Sequence, residues 1–226
     1  MTFLILSQAV PTSTLDALSG AMSDLTWRDG KETAGRTAKR VKVNEQADLT
    51  SAAGQTITKA IGSALKSHPV FKAAARPRRM SKLLLSRTEN NGRYGAHIDN
   101  ALMGKGAARM RTDLSFTLFL SEPDSYDGGE LTVHTTGATQ SFKGDRGDLV
   151  LYGSTYIHEV APVTRGERLV CVGWVESLVA DEAKRSMLFD LENLKVSLRG
   201  QLPEGAGELL MLDKTIANLL RMWAQP

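Results

Sequence analysis

The feature that most restricts this chain is Tyr94-Gly95-Ala96-His97-Ile98-Asp99, which sets an imidazole and a carboxylate two residues apart. In an extended strand successive side chains alternate between faces, so His97 and Asp99 point the same way. A carboxylate turned inward from a strand is costly unless it is paired or bound to metal. Whatever fold forms must therefore supply a partner for Asp99. A later stretch, Tyr156-Ile157-His158 running on to Arg168, offers one. With His158 on a neighbouring strand, the three side chains make a 2-His-1-carboxylate face. Such a face holds a non-haem Fe(II) and leaves coordination positions open.

Arg168 narrows the reading. The intervening Glu159-Val160-Ala161-Pro162-Val163-Thr164-Arg165-Gly166-Glu167 carries the Pro and Gly of a turn. Folded as an antiparallel hairpin centred near Val163, it would set His158 and Arg168 directly opposite each other on one face. A guanidinium beside a metal is a bidentate partner for a carboxylate. Triad and Arg together suit 2-oxoglutarate, chelating through its keto oxygen and C1 carboxylate while its distal carboxylate meets the Arg.

His97-x-Asp99, His158 and Arg168, in this order, resemble the Fe(II)/2-oxoglutarate-dependent dioxygenases. Tyr126-Asp127-Gly128-Gly129-Glu130-Leu131 is similar to a turn of their prolyl-hydroxylase-like branch. Arg111-Thr112-Asp113-Leu114-Ser115, Gly147 to Tyr152 and Arg185-Ser186-Met187-Leu188-Phe189 resemble the bacterial PKHD-type hydroxylases. The likeness covers nearly the whole chain. It implies a mixed α+β fold: a double-stranded β-helix (jelly-roll) core flanked by N-terminal helices and a C-terminal helical extension. It implies Fe(2+) on His97, Asp99 and His158, with 2-oxoglutarate on Arg168 and Tyr94 lining its pocket. O2 is then consumed, succinate and CO2 are released, and L-ascorbate (vitamin C) keeps the iron reduced. The hydroxylated C–H bond belongs to a peptidyl, prolyl-type substrate or to a small molecule, one linked to iron acquisition among them. The sequence does not separate these.

Periodicity along the chain agrees with that architecture. Phe3-Leu4-Ile5-Leu6 reads as a first strand, and Thr or Ser before Leu15 to Met22 opens a helix in a unit closed by Gly30. Residues 31–46 are polar and read as loop. Ala47 to Ser67 carries Leu49, Ala53, Ile57, Ala60, Ile61 and Leu65 at helical spacing and stops at His68-Pro69, where His68 reads as a cap. From Ser81 the period shortens. Strands are predicted over 83–87, 93–98, 114–120, 130–134, 140–143, 148–152, 156–160 and 168–175, an antiparallel sandwich of jelly-roll type. Beyond Val179 the helical period returns, with a last helix from Glu208 to Trp223. Its apolar face suits the barrel or a second copy of the chain, as in a homo-oligomer. The divisions expected are 1–77 (strand and supporting helices), 78–178 (jelly roll) and 179–226 (helical extension).

Composition excludes more than it selects. With 42% hydrophobic and 23% charged residues, the chain is that of an ordinary globular protein. One cysteine, Cys171, rules out an internal disulfide framework, suits the cytoplasm and reads as a buried strand residue. No stretch reaches the ~20 apolar residues of a bilayer span. The net charge of +3 reads as solvated surface rather than a nucleic-acid footprint.

Rival assignments exist. His134 is the alternative third ligand and Arg165 the alternative carboxylate partner, though a turn position turns Arg165 toward solvent. Arg168 has the alternative of pairing with Glu167. Tyr94, at odd spacing from His97, reaches the same face only through a twist or bulge. Gly128-Gly129 reads as a tight turn, and Met103 to Met110 as a candidate lid or plain loop. Other functional classes are a non-catalytic iron/2-oxoglutarate sensor, a nucleic-acid oxidative demethylase and, least, a zinc hydrolase, where an inward Arg has no task.

Overall fold

The computed structural model describes residues 3–33 and 38–225. Among these, the strands form two antiparallel sheets and two short paired ribbons. The large sheet runs Phe3–Leu6, Leu149–Gly153, Leu114–Phe119, Arg168–Ser177, Leu84–Thr88, Glu45–Ala47, Trp27–Asp29, with Pro77–Met80 beside the end of Arg168–Ser177. The smaller sheet runs Thr139–Phe142, Leu131–His134, Ile157–Val160, Arg93–His97, Lys42–Val43.

The middle strands show why two layers form. Every residue of Leu114–Phe119 is buried. Leu114, Phe116 and Leu118 join the core shared with the helices, which cover one face of the large sheet. Their alternates Ser115, Thr117 and Phe119 turn to the other face, the usual period of two. Arg168–Ser177 repeats the pattern, with Cys171 and Val175 toward the helices and Val170 toward the smaller sheet. Between the sheets Phe119, Val150, Tyr152 and Val170 meet Leu131, Val133 and Phe142. Toward Arg168 and His158 that layer becomes a cavity instead of packed hydrocarbon.

Helix Ala52–Ser67 buries Ile57, Ile61 and Leu65, one face at the expected spacing. It begins later than its periodicity suggests, because Glu45–Ala47 pairs into the large sheet and Ser51 accepts Gly54 N at 3.1 Å to cap the first turn. His68 ends it and caps the next, unpredicted helix Pro69–Ala75 by accepting Phe71 N at 3.2 Å. Pro69 in that first turn has no N–H to lose. The predicted loop over 31–46 is corrected: Lys42–Val43 and Glu45–Ala47 are strands, while residues 34–37 lie outside the described residues. Short edge strands lack the apolar alternation that marks a longer strand. Leu15 to Met22 becomes two short helices, Thr12–Ala17 and Ser19–Ser23.

The C-terminal helices Glu182–Arg199 and Gly207–Trp223 pack on each other. Leu188, Ile216, Leu191, Leu212 and Trp223 with Val179 make a satellite core. Asp181 caps the first by accepting Lys184 N at 2.9 Å. The pair is tied to the body by Phe189, which enters the main core, and by buried Arg76, which reaches Leu188 O and Glu192 at 3.4 Å. No helix among the described residues is long and apolar enough to cross a membrane.

Phe189→Ala removes the apolar one of these ties. It should cost about 3–5 kcal/mol in denaturant unfolding and let limited proteolysis cut the helix pair before the sheets. Simultaneous digestion of both parts would show that the pair is held by other contacts.

Candidate metal centre

The site begins with strand pairing. Ile157–Val160 lies against Arg93–His97 so that His158 stands opposite His97. The next pair is Val160 with Tyr94, two residues along one strand against three along the other. That extra residue is a β-bulge, which reverses the facing of everything before it. Tyr94 therefore shares a face with His97, and their rings stack at 3.6 Å.

Asp99 lies just past the strand's end, but the alternation persists: His97 is buried, Ile98 is 58% exposed, and Asp99 faces the cavity. Ligand atoms of His97, Asp99 and His158 lie within 4.8 Å of one another, the only such set among the described residues. His97 Nδ1 is 2.9 Å from Gly95 O, and His158 Nδ1 is 3.1 Å from Tyr156 O. A carbonyl only accepts, so each Nδ1 carries a hydrogen, which leaves Nε2 as the nitrogen available to a metal. Burial, then His158 close by, pushes His97 down to about 4. Two imidazoles and a carboxylate are the donor set of a first-row divalent ion.

Asp99 is itself held. Ser115 Oγ donates to Asp99 Oδ2 at 2.6 Å and lies 2.7 Å from Ser154 Oγ. Nothing in the sequence singled out Ser115 except its place on an inward strand face. Tyr152 was also missed; it lines the cavity, edge-on to His158 at 5.1 Å.

Arg168 reaches the cavity by another route than a hairpin. Its strand pairs with Leu84–Thr88 in the large sheet, where it stands opposite Thr88, while His158 is in the smaller sheet. Between them Val163–Arg165 pairs with Asp127–Gly128, so the expected hairpin register is overturned. The chain crosses from one sheet to the other, and the two residues line one cavity from separate layers. Arg168 is 2% exposed, and its Nε and Nη2 have no hydrogen-bond partner. Burial pulls the guanidinium down from its ordinary value, opposed by the nearby Tyr126 and Tyr152. Buried donors left unpaired are costly, which points to an anionic ligand. Gly129, at φ +70°, makes the room: a Cβ there would lie 2.8 Å from Arg168 Cδ.

The rivals are occupied elsewhere. Arg165 pairs with Asp127 at 2.7 Å and is largely exposed. His134 Nε2 meets Glu159 at 3.0 Å. Glu167 lies 3.6 Å from Arg87, leaving Arg168 to the interior.

The cavity is about 520 Å³. Its lining also includes Lys42, Asn44, Gln46, Ile98, Met103 and Trp174. Lys42 is buried, with its ammonium 5.1 Å from the Tyr94 ring centre. The Met103 to Met110 stretch is a small hairpin of Leu102–Met103 with Met110–Arg111, joined through a turn at Gly106–Ala108.

Comparison with known proteins follows the same lines. Residues 83–176 match the 2OG-Fe(II) oxygenase superfamily and residues 182–225 the PKHD-type hydroxylase C-terminal domain. A PKHD-type hydroxylase of Hyphomonas neptunium is 49% identical over 221 residues, 98% of this chain and 99% of the relative. One of Synechococcus elongatus is 44% identical over 93% and 94% of the two chains. A prolyl hydroxylase of Trichoplax adhaerens, solved with a peptide fragment, shares the fold at TM-score 0.58 and 14% identity, over 82% and 86%. A 2OG-Fe(II) oxygenase family oxidoreductase of Burkholderia pseudomallei does so at 0.54 and 16%, over 77% and 84%.

His97 resists protonation in the folded metal-free protein, so its contribution to stability is present above the ordinary imidazole value of 6.5 and is lost as pH falls toward about 4. NMR titration of the imidazole should find its midpoint near 4. A midpoint near 6.5 would mean the ring is solvated rather than enclosed.

Proposed function

This chain belongs to the PKHD-type hydroxylases of the 2OG-Fe(II) oxygenase superfamily, and we propose that it hydroxylates a C–H bond of a peptidyl, prolyl-type or small-molecule substrate. The single observation that carries this reading is the shared cavity: His97, Asp99 and His158 cluster at its wall, and Arg168 holds unpaired buried donors toward it. Iron with 2-oxoglutarate, when bound, supplies oxygen activation and C–H oxidation, with succinate and CO2 as coproducts.

The chain's own part follows from its geometry. His97 and His158 present Nε2, Asp99 adds the charge, and Tyr94 stacks on His97 to hold that ring and wall the pocket. Arg168 takes the distal carboxylate of the keto acid in a buried, charge-assisted pair. The strands of residues 78–178 are read as the jelly-roll core, with 1–77 adding outer strands and supporting helices and 179–226 as a helical extension. The space toward Lys42, Gln46 and Trp174 fits a side chain or small molecule beside the keto acid. L-ascorbate as reductant and a cytoplasmic setting belong to the same proposal; the buried thiol of Cys171, pushed up to about 12 by burial, needs no oxidising partner.

The test needs no primary substrate. Fe(II) and then 2-oxoglutarate are added to the metal-free protein without oxygen, and the visible spectrum is recorded. A weak charge-transfer band is expected. Arg168→Ala should require about 100-fold more 2-oxoglutarate to develop it, the scale of losing a buried ion pair. Iron binding without the band would end the keto-acid assignment. Asp99→Ala should abolish iron binding, measured by equilibrium dialysis; retained binding would move the metal elsewhere.

A further inference from the structure

Asp99 is the least supported of the three clustered side chains. His97 and His158 sit on paired strands, and each ring is pinned through Nδ1. Asp99 follows the last ladder residue of its strand, in an irregular segment, Ile98 to Asn100. Thr112 fastens its backbone, Oγ1 donating to Asn100 O at 2.6 Å and N donating to Ala101 O at 3.1 Å. Neither bond touches the carboxylate. Its hydrogen-bond donor, at Oδ2, is Ser115, 2% exposed, from the middle of the large sheet, while His158 Nε2 stands off at 3.7 Å from the same oxygen.

The direction of the hydroxyl chain can be deduced. An ionised carboxylate only accepts, so Ser115 spends its one hydrogen on Asp99 Oδ2. In the 2.7 Å contact between Ser115 and Ser154, Ser154 must then be the donor. Both hydroxyls are buried, and a donor feeding a donor strengthens the second bond. At 2.6 Å the Ser115 bond has the length of a charge-assisted O–H···O⁻ contact. Ser154 is fixed in turn, its N donating to Asp113 O at 3.1 Å, and it lies just before the Tyr156 carbonyl that pins His158. One turn thus steadies Asp99 through hydroxyls and His158 through a carbonyl.

We propose that Ser154 and Ser115 are positioning residues: a directed relay, Ser154 O–H to Ser115 O and Ser115 O–H to Asp99 Oδ2, that ties the carboxylate to the large sheet and sets metal affinity. The inference rests on the metal reading of His97, Asp99 and His158. Without the relay, the carboxylate must be ordered by the ion itself, and the free energy of that ordering is taken from binding.

Co(II), a redox-stable stand-in, is titrated into the metal-free full-length chain while its visible ligand-field bands are followed. Ser115→Ala should bind Co(II) about 10–100-fold more weakly and with shifted bands. Ser115→Thr, which restores the hydroxyl, should recover both, and Ser154→Ala should move both in the same direction by less. A residue serving only packing would lower thermal stability and leave the affinity and bands of the folded protein unchanged, which overturns the proposal. Should Ser115→Ala fail to fold, Ser154→Ala carries the same decision, since it leaves Ser115 in place. If the wild type binds no Co(II), the metal reading itself has failed; if it binds and the serine variants match it, only the relay has.

Discussion

The pairing of His158 with His97 across two strands far apart in the chain is the contact on which the centre depends. It fixes the rings 4.3 Å apart, and every other group is placed relative to them. Backbone hydrogen bonds make that pairing, so it does not require an ion. The bulge at the same pairing then turns Tyr94 inward, which a regular ladder would have prevented.

Around this rigid pair the interior carries charges that a packed core would refuse. Asp99 and Arg168 face one cavity from different segments, and Arg168 retains unpaired donors. Elsewhere the same two sheets interlock phenylalanines, valines and leucines with little space between them. Helices on the far face of the large sheet supply the hydrophobic burial, so the inner face is free to hold serine, threonine and arginine. The stability that the cavity gives up is offset outside it, a division common at functional sites.

Much of the layout was legible in the residues. The strands around His97, Leu114, Leu131, Leu149, His158 and Arg168 fall within a residue or two of their predicted ends, because Gly, Asn and Asp turn signals bound most of them. Helices 52–67 and 207–223 show their buried faces in the same way. What escaped was short or irregular. Lys42–Val43 and Glu45–Ala47 are too brief for a period, and Pro69–Ala75 hides behind the proline that ends its predecessor. The 158–168 hairpin failed because Pro and Gly signal a turn without saying which strand receives the chain afterwards.

By itself the sequence supplied the candidates: a carboxylate two residues from an imidazole, a second imidazole and an arginine, in an order that resembles a family using a ferrous ion and a keto acid. These follow from residue type and from the period of two, which are local properties. The tertiary structure decided that Arg168 and His158 line one cavity from separate layers, that Tyr94 comes in through a bulge, and that Ser115, with Ser154 behind it, reaches Asp99. Each of those is a contact between segments far apart in the chain. The period of two limits the register of a strand, but which strand it joins is decided by the packing of the two sheets.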